Sequence, residues 1–280
     1  MSGPPHRVRR EWKHRRWSLH LGLELLLCFV LRISSFLFVS PAPFALRLGC
    51  MVLLVFPGCS AEPASRSASP PKAADSGVFD AQVRSVRDGQ TDWIAVETEE
   101  ISDEQLQQVQ DLTPLRELLL EQTCITDAGL DQLASLTQLE HLRLRGAAIT
   151  DAGVRKLTHL KRLRILNLPQ GVFSDVALAE LVSLPNLELL RFGSPQVTDV
   201  GLAHLRRMLN LRFVHIIGSP ITDHGLQYFE GLQDLESLYL DGTQVTDTGI
   251  AWLLQALPEL HVHIDQEHAD FDPRKGDHEH

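Results

Sequence analysis

Apolar residues recur along the chain from Thr91 to Glu259 with a period of 24 residues. In each period, leucines first alternate with other residues, as in Leu142 and Leu144, which predicts a β-strand. They then recur three residues apart, which predicts a helix. One leucine column sets the register of the repeats: Leu115, Leu139, Leu163, Leu187, Leu211 and Leu235. We therefore predict an α/β solenoid of about seven strand–helix coils, each burying its leucines against its neighbours.

A polar pair follows each predicted strand and marks the start of the helix. Its first residue is serine or threonine: Ser102, Thr126, Thr150, Ser174, Thr198, Thr222 and Thr246. Its second residue is aspartate: Asp103, Asp127, Asp151, Asp175, Asp199, Asp223 and Asp247. Because hydroxyl and carboxylate oxygens accept hydrogen bonds from the free N–H groups at a helix start, the pair predicts a capped helix.

Glycine stands two residues after the aspartate in five repeats. These glycines are Gly129, Gly153, Gly201, Gly225 and Gly249. Glycine within a helix is unfavourable by roughly 1 kcal/mol relative to alanine. We therefore expect that the missing side chain lets neighbouring coils approach closely.

Together these positions form the pattern L-x-x-L-x-L-x-x-T-x-I-T-D-x-G-L-x-x-L-x-x-L, which resembles the cysteine-containing class of leucine-rich repeats. This class occurs in F-box substrate receptors and in bacterial envelope proteins. The resemblance implies parallel strands, about 4.8 Å apart, on a concave face with helices on the opposite side. It does not imply one function, since this fold serves many roles. The class often has cysteine where this chain has Thr123, Ala147, Pro195 and Thr243. No F-box-like helical segment precedes Thr91, so a ubiquitin-ligase role is not carried over.

The side chains that alternate with the core leucines predict an outward surface on the concave face. Its centre is apolar and its rim carries Arg, His and Tyr, which is the composition of a protein-binding hot spot. The predicted partner-binding residues are Trp93, His141, Arg143, Ile165, Leu189, Arg191, Phe213, His215, Ile217 and Tyr239. Two alternatives stay open: the apolar residues pack on each other or on a terminal segment, or Trp93, Tyr239 and the arginines recognise a carbohydrate.

A neighbouring column alternates in charge. It consists of Asp92, Arg116, Glu140, Arg164, Glu188, Arg212 and Glu236. On parallel strands each arginine would lie between two carboxylates, which predicts a structural ladder that helps to set strand register. Each surface pair contributes only about 0–1 kcal/mol.

Charge and motifs exclude several kinds of function. Residues 91–266 hold 25 Asp and Glu against 12 Lys and Arg, so nucleic acid is not an expected partner, since phosphate binding needs clustered basic residues. The sequence has no G-x-S-x-G, H-E-x-x-H or phosphate-binding glycine loop, so we predict no enzyme activity and no cofactor. The aspartates serve helix starts and the C-terminal histidines lack a fixed ligand spacing, so we predict no metal site.

Residues 1–58 are predicted to form a basic leader with two apolar segments. The second, residues 48–57, has the length of a signal-peptide core. Residues 53–59 resemble a bacterial lipobox, which implies a lipid on Cys59, although the motif usually has leucine at the position of Phe56. The alternatives are an uncleaved membrane anchor, ordinary cleaved export, and a misassigned start on a cytoplasmic protein.

The chain thus divides into a leader (1–58), a polar linker (59–90), the solenoid (91–259) and a C-terminal segment (260–280). The last comprises a capping strand near 261–265 and a disordered tail. Cys124 is alone within the repeats, which excludes an internal disulfide there. We predict a membrane-associated module of the cell envelope that captures a protein or peptide on its concave face. The alternative is a structural envelope component that self-associates through the solenoid.

Overall fold

A computed structural model describes residues 77–265 and 267–268 of the 280-residue chain. Its centre is one open sheet in which eight strands run parallel in chain order and a ninth pairs antiparallel at the end. The strands are β1 (Trp93–Val96), β2 (Glu117–Leu120), β3 (His141–Leu144), β4 (Ile165–Leu168), β5 (Leu189–Gly193), β6 (Phe213–Ile217), β7 (Ser237–Asp241), β8 (His261–Ile264) and β9 (Glu267–His268). Consecutive strands are neighbours in space, so each coil lies beside the next, as the 24-residue period predicts.

Helical segments connect the parallel strands. The α-helices are α1 (Val78–Arg87), α2 (Asp103–Leu106), α3 (Asp151–Leu157), α4 (Asp175–Leu181), α5 (Asp199–Leu205), α6 (Asp223–Leu226) and α7 (Asp247–Ala256). Short 3₁₀ segments occupy Gln107–Val109, Gly129–Leu133 and Gln227–Phe229. At the start of every helix from α2 to α7, the predicted serine or threonine hydroxyl accepts a helix N–H, which confirms the predicted caps.

The leucine columns determine strand register and the core. Leu142 pairs with Leu118 on one side and Leu166 on the other. All three side chains are fully buried, and so is the column that includes Leu115 and Leu139. Burying one leucine side chain stabilises the fold by about 1.5–3 kcal/mol. Because each coil buries its leucines only against its neighbours, this stabilisation depends on the stacking of the coils.

The aspartates hydrogen-bond across the stack. Oδ1 of Asp199 accepts the N–H of Thr222 at 2.9 Å, and Oδ2 accepts its hydroxyl at 2.6 Å. The same double contact occurs at six consecutive junctions, from Asp103 with Thr126 to Asp223 with Thr246. The prediction that these carboxylates accept N–H groups of their own helix is therefore wrong. The hydroxyl already fills that role, and the carboxylate on the first helical residue reaches the next coil.

The glycine positions follow from this contact. A Cβ built on Gly225 would overlap Oδ1 of Asp199, and the other four repeat glycines meet the preceding aspartate in the same way. The predicted close approach of neighbouring coils is confirmed, and the group that approaches is the carboxylate. Ala177 stands at this position in one repeat, where Asp151 and Ser174 still form both hydrogen bonds, at 2.8 and 2.7 Å.

The fold begins earlier than the sequence predicts. Helix α1 lies within the segment 59–90 that we assigned to a polar linker, so residues 78–90 are corrected to part of the fold. Phe79, Val83 and Val86 recur at helical spacing and are buried, a short apolar pattern that the 24-residue period does not include. The side chain of Gln82 donates to the carbonyl of Ala95 at 2.8 Å and accepts its N–H at 2.6 Å. It therefore occupies hydrogen-bonding groups that a further strand would use at the edge formed by β1.

At the other end, the predicted strand near 261–265 is β8, which continues the parallel sheet beside β7. β9 then turns back and pairs with it. The predictions of a leader, a lipid on Cys59, a linker up to residue 76 and a disordered tail concern residues outside the described part. Among the described residues, none of the helices combines the length and apolar character needed to cross a bilayer.

Candidate functional site

The outward side of the sheet, here called the strand face, consists of the residues that alternate with the buried leucines. The first column across it is Trp93, Glu117, His141, Ile165, Leu189, Phe213 and Ser237. The second is Ala95, Leu119, Arg143, Asn167, Arg191, His215 and Tyr239. Both columns are in the register that the repeat predicts.

The apolar centre of the strand face is smaller than the sequence suggests. Leu189 and Phe213 pair on neighbouring strands and are half-buried, as is Ile217 at the end of β6. Ile165 was predicted to belong to this exposed centre, but its exposed fraction is only 8 %. It lies between His141 and Leu189 on the adjacent strands, so little of its surface faces outward. The accessible apolar centre therefore lies on β5 and β6.

A row of rings and hydrogen bonds borders this centre. Nε2 of His215 lies 2.8 Å from Oδ2 of Asp241. The ring of Tyr239 lies 5.1 Å from that of His215 and stacks on that of His263 at 4.2 Å. Burial lowers the pKa of His215, although the hydrogen bond to Asp241 opposes this shift. Burial, with a smaller contribution from Asp241, raises the pKa of Tyr239, so both shifts favour neutral rings.

Arginines occupy the other side of the strand face. Nε of Arg143 lies 3.0 Å from Oε1 of Glu121, and Nη1 of Arg145 lies 3.5 Å from Oε2 of the same carboxylate. Burial, together with Arg191 and Arg145, lowers the pKa of Arg143 to about 10. Burial also raises the pKa of Glu121, and Arg145 opposes that rise. Glu121 was not predicted as a site residue, although it stands one period before Arg145 and could have been found from that column.

Most of the predicted partner-binding residues come together, but one does not. His141 and Arg143 lie on β3, and seven others lie on β4 to β7. Trp93 lies on β1, five strands from Phe213, which corresponds to about 24 Å at the usual strand spacing. Trp93 therefore belongs to a different part of the strand face.

The alternating charge column forms ion pairs between neighbouring strands. Arg116 lies 3.6 Å from Asp92 and 2.9 Å from Glu140, so it bridges two carboxylates as predicted. Arg164 pairs with Glu188 at 2.6 Å, and Arg212 continues the ladder with Glu236. Arg212 also lies over the ring of Phe213, 5.6 Å from its centroid. These ion pairs are half-exposed, so each stabilises the fold by about 0–1 kcal/mol.

The part of the chain that the structure describes offers few other candidates for a metal, thiol or ligand site. There, no group of three or more His, Cys, Asp or Glu side chains is arranged to hold a metal ion. Cys124 is an exposed free thiol. A depression of about 290 Å³ lies over the charge ladder, lined by residues that include Glu140, Arg164 and Glu188. It is polar and lies beside the strand face.

Comparisons with known proteins agree with this architecture. The Leucine Rich repeat family matches residues 135–158, one period of the pattern. Among solved structures, an internalin (InlF) from Listeria monocytogenes is similar at 25% sequence identity and a TM-score of 0.51. The described residues have the fold of a leucine-rich repeat solenoid. The match covers 68% of this chain and 52% of the InlF chain, so this chain spans about half of that relative's length.

An internalin C2 (InlC2) from the same organism is also similar, at 22% identity and a TM-score of 0.49, covering 66% of this chain and 92% of that one. A search of curated proteins gave no match.

Proposed function

We propose that this leucine-rich repeat chain is a non-catalytic binding module that captures a protein or peptide on its strand face. The leucine-rich repeat fold favours protein binding in general. The observation that carries the proposal is the half-buried pair Leu189 and Phe213, bordered by Arg191, His215 and Tyr239. An apolar centre with an arginine and aromatic rim is typical of binding hot spots.

The rim of this surface is ordered before any partner arrives. Asp241 holds His215, and the Tyr239 ring is packed between two histidine rings. Side chains that are already fixed lose less conformational entropy on binding, which increases affinity for a given contact area. This ordering therefore supports recognition by the strand face.

The test replaces Leu189 and Phe213 together by aspartate and measures capture of proteins by photo-crosslinking from Ser237, which lies beside Phe213. We expect crosslinks to disappear, because two charges would stand in the apolar centre. The matched control replaces two apolar residues outside the strand face, Val200 (66 % exposed) and Leu209 (63 % exposed), by aspartate and should leave crosslinking unchanged.

Circular dichroism must show that both double variants remain folded. Undiminished crosslinking in the variant with Leu189→Asp and Phe213→Asp would contradict the proposal.

We also propose that the leader carries the chain to the cell envelope and that Cys59 is acylated. The support is the basic, apolar and lipobox-like order of residues 1–59. Membership of the cysteine-containing repeat subclass likewise remains a prediction from the sequence. Mass spectrometry of the mature N-terminus should find a lipid-modified Cys59. An intact leader, or cleavage elsewhere without a lipid, would contradict acylation.

The alternative function is self-association of the solenoid as a structural envelope component. One observation favours it: Val176 and Val200 are exposed at equivalent positions of successive helices, 51 % and 66 % respectively. Light scattering of the full chain over a range of concentrations tests this alternative. A molar mass that stays that of a monomer at every concentration, and that Val200→Asp does not change, would contradict self-association.

A further inference from the structure

One edge of the solenoid, where each helix leads into the next strand, carries a patch of positive charge. The patch, here called the basic edge, consists of the turns after α3, α4 and α5, residues 158–162, 182–186 and 206–210. These turns contain no Asp or Glu and four exposed basic residues: Lys161, Arg162, Arg206 and Arg207. The repeats as a whole are acidic, with 25 Asp and Glu against 12 Lys and Arg in residues 91–266.

Hydrogen bonds join the three turns of the basic edge. The side-chain amide of Asn186 donates to the carbonyl of Lys161 at 2.7 Å. That of Asn210 donates to the carbonyl of Pro185 at 2.6 Å. Nζ of Lys161 donates to the carbonyl of Ser183 at 2.9 Å. The turns therefore lie side by side, and their basic side chains belong to one surface.

The basic side chains of this edge have no carboxylate partner within the described residues. Arginines elsewhere on the helical side are paired, as Arg155 is with Glu180 at 3.0 Å. Arg162 instead donates to a neutral side-chain amide. The side chains of Arg206 and Arg207 make neither a hydrogen bond nor an ion pair with any residue that the structure describes. Their charge is therefore accessible to a partner.

The helix dipole does not account for this cluster. Basic side chains near the end of a helix complement its partial negative charge. The turn after α4 nevertheless carries no charged residue, and the equivalent turn in the coil of α6 carries Glu230 and Asp234. Because the helix ends do not require basic residues, their concentration in consecutive coils indicates a contact with an anionic partner.

An exposed apolar side chain lies within the basic edge. Leu209 is 63 % exposed and stands one period after Pro185, which is also exposed. Basic residues beside an exposed leucine are typical of surfaces that bind anionic membranes, since the cations meet the headgroups and the apolar side chain enters the interface. A nucleic acid would satisfy the charges but would leave Leu209 in water.

We propose that the basic edge binds the anionic phospholipid surface of the membrane to which the leader attaches the chain. The four basic side chains contact lipid phosphate groups, and Leu209 enters the headgroup layer. This inference rests on the proposed envelope attachment and adds a second contact with the same membrane. The segment 59–76 can span at most about 60 Å when extended, which allows this contact.

Membrane contact at the basic edge is compatible with capture on the strand face. The basic edge follows the helices, whereas Leu189 and Phe213 project outward from the sheet. The two surfaces consist of different residues. Binding through the basic edge therefore orients the solenoid on the membrane and leaves the strand face accessible to a protein.

The test places a photo-crosslinking residue at Ser183, an exposed position in the middle turn of the basic edge. The full-length chain is incubated with vesicles of phosphatidylcholine, either pure or with about one-third phosphatidylglycerol. Flotation measures the chain bound to each vesicle, and lipid crosslinks are counted per bound chain. We expect at least about fivefold more lipid crosslinks with phosphatidylglycerol, and a loss of this excess in high salt.

Replacing Arg206 and Arg207 by glutamine should reduce the phosphatidylglycerol-dependent crosslinks at least about fivefold, since each basic residue near an anionic surface contributes about fivefold in affinity. The matched control replaces Arg116 and Arg155, two exposed arginines that are paired with carboxylates. It changes the net charge equally and should alter crosslinking by less than about twofold. A probe at Val200, at the other end of α5, should give few lipid crosslinks with either vesicle.

The basic edge would not be a membrane-binding surface if lipid crosslinks from Ser183 were independent of phosphatidylglycerol. Equal losses in both double variants, or equal labelling from Ser183 and Val200, would also overturn the inference. Crosslinks to single-stranded DNA or to polyglutamate that depend on Arg206 and Arg207, without lipid crosslinks, would assign this edge to a different partner and likewise overturn it.

The remaining outcomes separate this inference from the proposed function. A chain that floats with the vesicles but gives no lipid crosslinks from Ser183 would overturn the inference and leave attachment through the leader standing. A chain that binds neither vesicle would overturn both. Protein capture is measured separately from Ser237, so its failure would not affect the lipid crosslinks expected from the basic edge.

Discussion

The repeated aspartate contact makes a quantitative prediction about stacking. Replacing Asp199 by alanine removes both hydrogen bonds to Thr222, from the backbone N–H and from the hydroxyl. The next coil then loses the anchor of its helix start. We expect destabilisation of the folded state although the substituted residue is half-buried and belongs to no leucine column.

The magnitude follows from the contacts. Hydrogen bonds to a charged group contribute about 1.5–3 kcal/mol each, and partial exposure to water puts these two at or below the lower end. We therefore expect the free energy of unfolding to fall by about 2–3 kcal/mol. For a solenoid of this size, that corresponds to a decrease in Tm of about 4–12 °C.

Urea unfolding followed by circular dichroism measures this loss. Asp234→Ala is the matched control, since Asp234 is exposed and its removal changes net charge equally; it should shift stability by less than about 0.5 kcal/mol. If Asp199→Ala were no more destabilising than this control, the carboxylate would not hold the coils together.

A double-mutant cycle with Gly225→Ala tests the close approach. With Asp199 present, the new methyl group overlaps the carboxylate. Because Ala177 is accommodated at the equivalent position of another repeat, we expect a cost near the lower end of the about 1–3 kcal/mol typical of overpacking. With Asp199→Ala this overlap is gone, and alanine is favoured over glycine in a helix by roughly 1 kcal/mol. Gly225→Ala should therefore be less damaging in the Asp199→Ala background. Strict additivity of the two substitutions would refute the explanation of the glycine column.

Three further predictions concern other parts of the fold. Gln82→Ala should expose the backbone groups of Ala95 and increase concentration-dependent association in light scattering; an unchanged monomer would contradict this protective role. The pKa of His215 is lowered on folding, so the unfolded chain binds more protons below its usual pKa of about 6.5, and stability should fall as the pH decreases through that value. His215→Gln should reduce this dependence in urea unfolding at pH 7.5 and 5.5, and an identical dependence would show that other groups cause it. Arg116→Ala should lower the free energy of unfolding by less than about 1 kcal/mol, with a smaller effect in 1 M salt, as for exposed ion pairs; a larger loss that salt does not change would contradict this view.

Periodicity predicts much of this fold because each leucine repeats the same role every 24 residues. The strand positions, the parallel register and the buried column that includes Leu142 and Leu166 all follow from it. The sequence also correctly predicted that members of the alternating charge column one period apart would be neighbours on adjacent strands. Helix α1 was not predicted, because its three buried residues occur once and lie outside the repeat.

The candidate site was predicted in position but not in detail. Alternation along a strand shows which side chains face outward, so Leu189 and Phe213 could be assigned to the strand face. It does not show how much surface a neighbour leaves accessible, so the burial of Ile165 was missed. The repeat period places Glu121 beside Arg145, but its closer contact with Arg143 is out of register and is seen only in the structure.

The sequence by itself determined the repeat, the register and the acidic balance of the chain, because these depend on residue identity and spacing alone. Only the tertiary structure decided where the aspartates act. A carboxylate at the start of a helix can bond within its own coil or across to the next, and the geometry of stacking selects the second. The same geometry brings Arg143, Asn167 and Arg191 side by side on neighbouring strands, although they lie 24 positions apart in the sequence.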